Sequence, residues 1–192
     1  MRIIFGLILA IFIVLLNFRI IIFDSDFYMR GNFKEINSSE YIDNLISYFK
    51  YENELNDSFN AKEKFHLEDV RSLIYKFNFI FYILSLVIVL LSIKYFKELP
   101  YIFIYSFIFL LFICLIIYFI DFSELFYKFH LVAFNNYLWL LDPQNDKLVV
   151  IFTEEFFYNA LFIILKRSIL FSFILFIIGF LKIVWDKYIK LT

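Results

Sequence analysis

The chain has 192 residues, of which 63% are hydrophobic, and its mean hydropathy is +0.80. Because soluble domains are usually about 45–50% apolar, this composition predicts an integral membrane protein. The net charge of −1 gives no reason to expect a nucleic-acid partner. The single cysteine, Cys114, lies in an apolar run, which excludes an internal disulfide and dithiol redox chemistry.

Four apolar stretches of the sequence are long enough to cross a bilayer. A helix needs roughly 20 residues to cross a hydrocarbon core about 30 Å thick, and the stretches are residues 3–23, 77–93, 99–120 and 160–185. No small-residue cleavage site follows the first, so we interpret it as an uncleaved anchor and not as a signal peptide. The sequence therefore predicts a mainly α integral membrane protein, a four-transmembrane-helix bundle forming a single membrane domain over residues 1–192.

The charges beside these stretches predict their orientation, because basic residues are enriched in cytoplasmic loops. The short connection between the second and third stretches carries Lys94 and Lys97, and the C-terminal tail carries three lysines. The longer connections are acidic: residues 24–76 hold eleven carboxylates and seven basic side chains, and residues 121–157 hold six and two. We therefore expect both termini in the cytoplasm, with outer segments at about 24–76 and 121–159.

Three basic residues lie near the predicted outer ends of the spans, namely Arg19, Lys166 and Arg167. Long basic side chains in such positions usually extend to the lipid headgroups. The alternative is that one of them faces inward and contacts a polar headgroup or a substrate. The sequence leaves both interpretations open.

The two outer segments predict a small extracytoplasmic cap containing a helix and a β-hairpin. In the first segment, Ser38 and Ser39 precede apolar residues at helical spacing, which is typical of a capped helix lying at the membrane interface. In the second, the apolar runs 138–141 and 148–152 flank the turn-forming sequence DPQND, which favours a hairpin.

The chain has two histidines, His66 and His130, and the predicted topology places both on the outer side. Histidine is the usual proton carrier in acid–base catalysis, and His66 would share a helix face with Asp69. The sequence has no HExxH motif, no glycine-rich phosphate loop and no GxSxG motif. The residues alone therefore indicate a candidate histidine acid–base site at the outer leaflet.

The second outer segment resembles the signature of the bacterial lipoprotein intramolecular transacylases. It reads FHLVAFNNYLWLLDPQNDKLVVIFTEEFF, and the earlier FHLEDV resembles the family's other histidine motif through His66, Asp69 and Val70. The sequence departs from the family pattern at Asn135, Tyr137 and Thr153. The matching residues of the long segment are His130, Phe134, Asn136, Trp139, Leu140, Leu141, Asp142, Pro143, Asp146 and Phe156.

The resemblance implies an acyltransferase of the bacterial cell membrane that needs neither a cofactor nor a metal. Its substrate would be the diacylglyceryl-modified N-terminus of a lipoprotein, embedded in membrane lipid. The sn-2 acyl chain would move to the α-amine of the N-terminal cysteine, giving the lyso-form. The resemblance implies His66 and His130 as catalytic residues. We expect supporting or substrate-binding roles for Asp69, Arg71, Asn136 and Trp139; the alternative for Asp69 and Arg71 is that they are helix-surface charges at the headgroup level.

Two other functions agree with the composition. One is a metal-dependent membrane hydrolase that uses both histidines and a carboxylate as ligands. The other is a non-enzymatic, lipid-binding accessory protein whose outer segments only make contacts. Asp142 and Asp146 are predicted to shape the turn and not to act in chemistry, because Asp-Pro and Asn-Asp are turn dipeptides.

Overall fold

The computed structural model describes residues 1–29 and 38–190, and the regular elements of this part of the chain are all helical. A single 3-10 turn, Phe96–Glu98, precedes α5. The helices are α1 (Arg2–Ile22), α2 (Ser25–Met29), α3 (Ser38–Phe49), α4 (Ala61–Lys94), α5 (Leu99–Tyr118), α6 (Phe122–Ala133), α7 (Lys147–Ile151) and α8 (Glu154–Ile189).

Four of these helices, α1, α4, α5 and α8, are long and apolar enough to cross a membrane. Their length follows from uninterrupted apolar sequence, and α5 begins with Pro100 in its first turn, where proline is tolerated. The helices α4 and α8 begin well before their apolar parts, at Ala61 and Glu154. The prediction of a helical protein with four long apolar helices is confirmed.

The predicted β-hairpin is wrong. Residues 138–141 form no regular element, and the second apolar run lies largely in the helix α7. The turn between them does form: the backbone N–H of Gln144 donates to Asp142 Oδ1 at 3.0 Å, and that of Asp142 donates to Asp146 Oδ2 at 2.7 Å. Side-chain carboxylates therefore satisfy backbone donors here that a hairpin would pair with a second strand.

The described residues divide into two compact units. The first, which we call the apolar unit, comprises the described parts of Met1–Phe18, Phe79–Ile120 and Phe162–Thr192. The second, which we call the histidine unit, comprises those of Arg19–Asn78 and Asp121–Leu161. The helices α1, α4 and α8 contribute residues to both.

Small residues allow the helices of the apolar unit to pack closely. A Cβ added to Gly6 would lie 2.5 Å from Tyr105 Cβ, and one added to Gly179 would lie 2.5 Å from the carbonyl oxygen of Pro100. Ser168 and Ser172 of α8 are also fully buried. Close approach through small residues is the usual way in which membrane helices associate.

The histidine unit has an apolar core built largely on α3. Four of its residues, Ile42, Leu45, Ile46 and Phe49, are buried at the helical spacing seen in the sequence. This face packs into the protein, and whether the helix also touches a membrane interface stays a prediction. The side chains of Ser38 and Ser39, predicted as the N-cap of α3, lie outside the described part of the chain.

Candidate active site

The two histidines lie on different helices of the histidine unit and meet at one phenylalanine. His66 is in the second turn of α4, before its apolar part, and His130 is near the end of α6. Their exposed fractions are 7% and 9%. The ring centroid of Phe134 lies 5.2 Å from that of His66 and 5.7 Å from that of His130. The fold therefore brings together two imidazoles that are 64 residues apart in sequence.

His130 is held by its own helix and by aromatic rings. Its Nδ1 lies 2.7 Å from the carbonyl oxygen of Phe126, one turn earlier in α6. Since a carbonyl only accepts, Nδ1 carries the proton and Nε2 of the neutral ring is the free acceptor. The rings of Phe126 and Trp139 lie 4.4 Å and 4.9 Å from the imidazole centroid. The indole plane of Trp139 is inclined by only 32° to the imidazole, so its π-face can stabilise a positive charge on that ring.

His66 has a different environment. Its Nδ1 is buried and has no hydrogen-bond partner among the described residues. Burial is the main reason that the pKa of His66 falls from 6.5 to about 4; His130 lowers it as well, and Asp69 opposes both effects. The neutral imidazole is therefore the stable form at ordinary pH.

Burial also lowers the pKa of His130, while the hydrogen bond to Phe126 acts in the opposite direction. A positive charge on His130 disfavours one on His66. The two imidazoles are therefore not both positively charged in the resting protein, and a neutral ring, which keeps one N–H, can accept a second proton from a substrate on its free nitrogen.

A chain of hydrogen bonds joins α4 to the loop that follows α6. Asn136 donates from Nδ2 to Asp69 Oδ2 at 2.8 Å, and Trp139 donates from Nε1 to the carbonyl oxygen of Asn136 at 2.9 Å. Trp139 in turn contacts the ring of His130. Asp69, Asn136 and Trp139, all expected from the sequence, therefore lie in one network beside the histidines.

Arg71 has other neighbours. Its guanidinium lies 3.9 Å from the ring centroid of Tyr48 and 4.7 Å from that of Tyr51. Among the described residues it contacts these tyrosines and neither histidine. The structure thus gathers five of the six predicted site residues and places the sixth against α3 and the turn after it.

Arg19, one of the basic residues near the predicted outer span ends, donates a short hydrogen bond from its guanidinium to Asn78 Oδ1. Its guanidinium carbon also lies 5.7 Å from the ring centroid of Phe23. Lys166 and Arg167 are exposed on α8. Arg19 is therefore at least partly satisfied by protein groups and does not depend on lipid headgroups alone.

The sequence reasoning missed Asn60 and Glu63 at the start of α4. The backbone N–H of Glu63 donates to Asn60 Oδ1 at 3.0 Å, and that of Asn60 donates to Glu63 Oε2 at 2.8 Å. This is a capping box with asparagine at the N-cap. The spacing N-x-x-E just before a segment with helical apolar periodicity could have predicted this capping box from the sequence.

The structure also bears on the possibility of a metal centre. Within residues 1–29 and 38–190, no three His, Cys, Asp or Glu side chains are grouped closely enough to hold one ion. The metal-dependent hydrolase considered from the sequence needs both histidines and a carboxylate as ligands. That hypothesis therefore gains no support from the described residues.

Comparison with known proteins places the chain in a family. The profile of the family described as lipoprotein intramolecular transacylase Lit matches residues 3–157, most of the sequence. The chain belongs to this family. It is accordingly a membrane-integral acyltransferase of the lipoprotein intramolecular transacylase class.

Solved structures of a Lit protein have the same fold. The structure of the membrane-integral lipoprotein intramolecular transacylase Lit from Bacillus cereus is 22% identical, with a TM-score of 0.79 over 98% of this chain and 96% of that one. A variant of it with a histidine replaced by alanine is 20% identical, with a TM-score of 0.77 over 97% and 94%. A variant with arginine is 22% identical, with a TM-score of 0.77 over 98% and 92%. No curated protein sequence matches significantly.

Proposed function

We propose that this Lit family member moves the sn-2 acyl chain of a diacylated lipoprotein to the α-amine of that lipoprotein's own N-terminal cysteine. An amide bond forms between the acyl carbonyl and the amine, and the ester bond to the glyceryl oxygen breaks. The amine gives up a proton and the glyceryl oxygen receives one. Both reacting groups belong to the substrate, so the protein has to position them and carry the proton.

The observation that carries the proposal is the pair of buried histidines that both contact Phe134. Each imidazole is neutral at ordinary pH because burial disfavours its charged form. The α-amine of a peptide has a pKa of about 7.7–8.0, so part of it is neutral at ordinary pH and can attack. A neutral imidazole can then accept the proton that the amine gives up. Such acid–base assistance usually contributes about 10²–10⁴ in rate.

The two histidines have different roles in this proposal. His130 takes the amine proton at Nε2, because its Nδ1 already donates to the carbonyl of Phe126, and it returns the proton to the leaving glyceryl oxygen. The ring of Trp139 stabilises the imidazolium in between. His66 stays neutral and donates a hydrogen bond to the oxygen of the tetrahedral intermediate, as a neutral imidazole can.

The proposed site faces outward, with both termini in the cytoplasm. The lysine-rich connection and tail and the acidic segments 24–76 and 121–159 support this orientation. A fluorescent protein that folds only in the cytoplasm, fused to the C-terminus, should fluoresce. The same protein inserted between Asn145 and Asp146 should stay dark, and bright fluorescence there would contradict the outward site.

The catalytic roles can be tested with His66→Ala and His130→Ala. Each variant is co-expressed with a diacylated lipoprotein, and the lipoprotein N-terminus is examined by mass spectrometry. We expect the yield of the lyso-form to fall at least about 10²-fold in each variant. Glu68→Gln, which changes an exposed carboxylate of the same helix, is the matched control and should be fully active.

Other outcomes would contradict the proposal. If both histidine variants still produce the lyso-form at the control rate, histidine acid–base catalysis is wrong. If purified protein contains a stoichiometric zinc ion and loses activity with a chelator, metal-dependent chemistry replaces the proposal.

A further inference from the structure

A carboxylate at the start of α4 is buried and bound on both sides. Glu63 is 1% exposed and lies one helical turn before His66. Its Oε2 accepts a hydrogen bond from the backbone N–H of Asn60 at 2.8 Å. Its Oε1 accepts one from the backbone N–H of Leu148, in the first turn of α7, at 2.6 Å.

The second of these bonds has no part in capping the helix. A capping box is complete with one carboxylate oxygen, and Oε2 of Glu63 supplies it. Oε1 instead accepts a hydrogen bond from a residue 85 positions away in the sequence. Burying a carboxylate is costly unless each oxygen is hydrogen-bonded, and here both are. Glu63 therefore joins the helix that carries His66 to α7.

Neighbouring polar groups strengthen the same junction. Asn60 donates from Nδ2 to Asp146 Oδ1 at 2.7 Å, and Lys62 donates from Nζ to the carbonyl oxygen of Leu140 at 2.6 Å. The Nζ of Lys62 also lies 3.8 Å from Asp146 Oδ2. Three side chains at the N-cap and in the first turn of α4, those of Asn60, Lys62 and Glu63, thus contact residues 140–148.

This junction bounds the loop that carries Trp139. The beginning of the loop is held by Asn136, whose amide donates to Asp69 of α4. Its end is held by Asn60, Lys62 and Glu63 of the same helix. Trp139, which lies 4.9 Å from the ring of His130, sits between these two attachments.

We infer that Glu63 is a positioning residue of the transacylase site. It holds the 134–148 loop on α4, the helix that carries His66, so that Trp139 stays in contact with His130 of α6. It acts through the loop and touches neither histidine by any hydrogen bond described. The inference rests on the proposed function for its effect on rate, but the placement of Trp139 can be measured without any reaction.

The test variant is Glu63→Gln. Glutamine has one acceptor oxygen, so one of the two backbone donors loses its partner and meets an amide NH₂ group instead. The effect is read in a Trp185→Phe background, where Trp139 is the remaining tryptophan. We expect a change in Trp139 emission intensity, because its contact with the imidazole is altered. Glu68→Gln in the same background should leave the emission unchanged.

Kinetics with a diacylated lipopeptide in detergent micelles supply the second measurement. Displacing a catalytic group by about 1 Å can cost about 10²-fold, so we expect kcat of Glu63→Gln to fall about 10- to 100-fold while KM changes little. A variant with unchanged emission and unchanged kcat would overturn the inference. A variant with a lower melting temperature but wild-type emission and kcat would show a structural role only, and would overturn it too.

Asn60→Ser provides a milder variant in case Glu63→Gln does not fold. Serine still caps α4 but cannot reach Asp146, so one attachment of the loop is lost. We expect the same emission change and a smaller loss of kcat, about 3- to 10-fold. Wild-type values for both would overturn the inference. If emission changes in these variants while His66→Ala and His130→Ala remain active, the loop attachment stands and the proposed function fails.

Discussion

The apolar unit and the histidine unit are each stabilised from within, by different kinds of contact. In the apolar unit, glycine and serine let helices approach until backbone touches backbone, as Gly179 does against Pro100. In the histidine unit, buried carboxylates and amides join segments that are far apart in sequence, as Glu63 joins Leu148. The first kind of contact depends on shape and the second on hydrogen-bond partners.

This difference decides what each unit can do. Lipid hydrocarbon offers polar groups no hydrogen-bond partners, so membrane helices associate largely through close packing of small residues. Chemistry needs groups that gain or lose protons at fixed positions. Polar contacts supply such positions because each has a definite length and direction. The two imidazoles accordingly lie in the unit that is held by hydrogen bonds.

The largest effect is expected from pH acting on the histidine unit. The pKa of His66 is about 4 in the folded protein, against 6.5 when solvated, chiefly because of burial. Between these values the unfolded chain binds a proton that the folded chain does not, so stability falls as pH falls from about 6.5 to 4. The loss is on the order of 3 kcal/mol. Melting temperatures in detergent micelles between pH 4 and pH 7.5 measure it.

His66→Phe is the variant that isolates this contribution. Phenylalanine keeps a ring beside Phe134 but does not titrate, so the melting temperature of the variant should depend less steeply on pH. Glu68→Gln should keep the wild-type slope. Equal slopes in wild-type protein and His66→Phe would contradict a buried neutral imidazole at this position.

The next effect concerns the contact between Asp69 and Asn136, whose polar atoms lie 2.8 Å apart. Asn136→Asp sets two carboxylates against each other and should destabilise the fold by about 1–3 kcal/mol, or lower the melting temperature by roughly 5 °C. Adding Asp69→Asn restores one donor and one acceptor and should recover most of the loss. If the double variant melts no higher than Asn136→Asp alone, this hydrogen bond does not hold the loop.

The sequence predicted the two units unequally well, for a physical reason. Composition alone predicts the long apolar helices, because a segment that crosses a bilayer must be apolar over about 20 residues. The cap of the site depends on contacts between distant residues, such as Asn60 with Asp146, and no local pattern encodes them. The hairpin was expected because the apolar runs 138–141 and 148–152 flank a turn-forming sequence. Carboxylates accept the backbone hydrogen bonds of this turn, however, and a helix follows it.

Most of the site residues were predicted from the resemblance. Helix spacing and residue chemistry alone predicted only some of the contacts between them. The spacing of His66 and Asp69 placed them on one helix face, but only the fold brings both histidines into contact with Phe134. Arg71 shows the limit of such reasoning. It was expected in a supporting or substrate-binding role, and its guanidinium lies against the rings of Tyr48 and Tyr51. A role toward the substrate stays a prediction.

In the apolar unit, a smaller effect is expected from Gly179→Ala. The added Cβ would lie 2.5 Å from the backbone oxygen of Pro100, and a backbone atom cannot move aside as a side chain can. A single methyl group should therefore destabilise the protein by about 1–2 kcal/mol. The matched control Ile178→Ala changes an exposed neighbour on the same helix and should be nearly neutral. Equal melting temperatures for both variants would show that the helices can separate without loss.

The smallest effect is expected at Asn17, the buried amide of α1 that donates to Ser168 Oγ at 3.2 Å and to the Ile13 carbonyl at 2.9 Å. Interhelical hydrogen bonds in membranes average only about 0.6 kcal/mol, because a hydroxyl left alone can bond to its own helix backbone. Asn17→Leu should thus lower the melting temperature by less than about 3 °C and leave acyl transfer intact. A large loss of stability would mean that polar contacts hold the apolar unit as well. A loss of activity at unchanged stability would instead give Asn17 a part in substrate handling, and the division between a unit held by shape and a unit held by hydrogen bonds would no longer separate packing from chemistry.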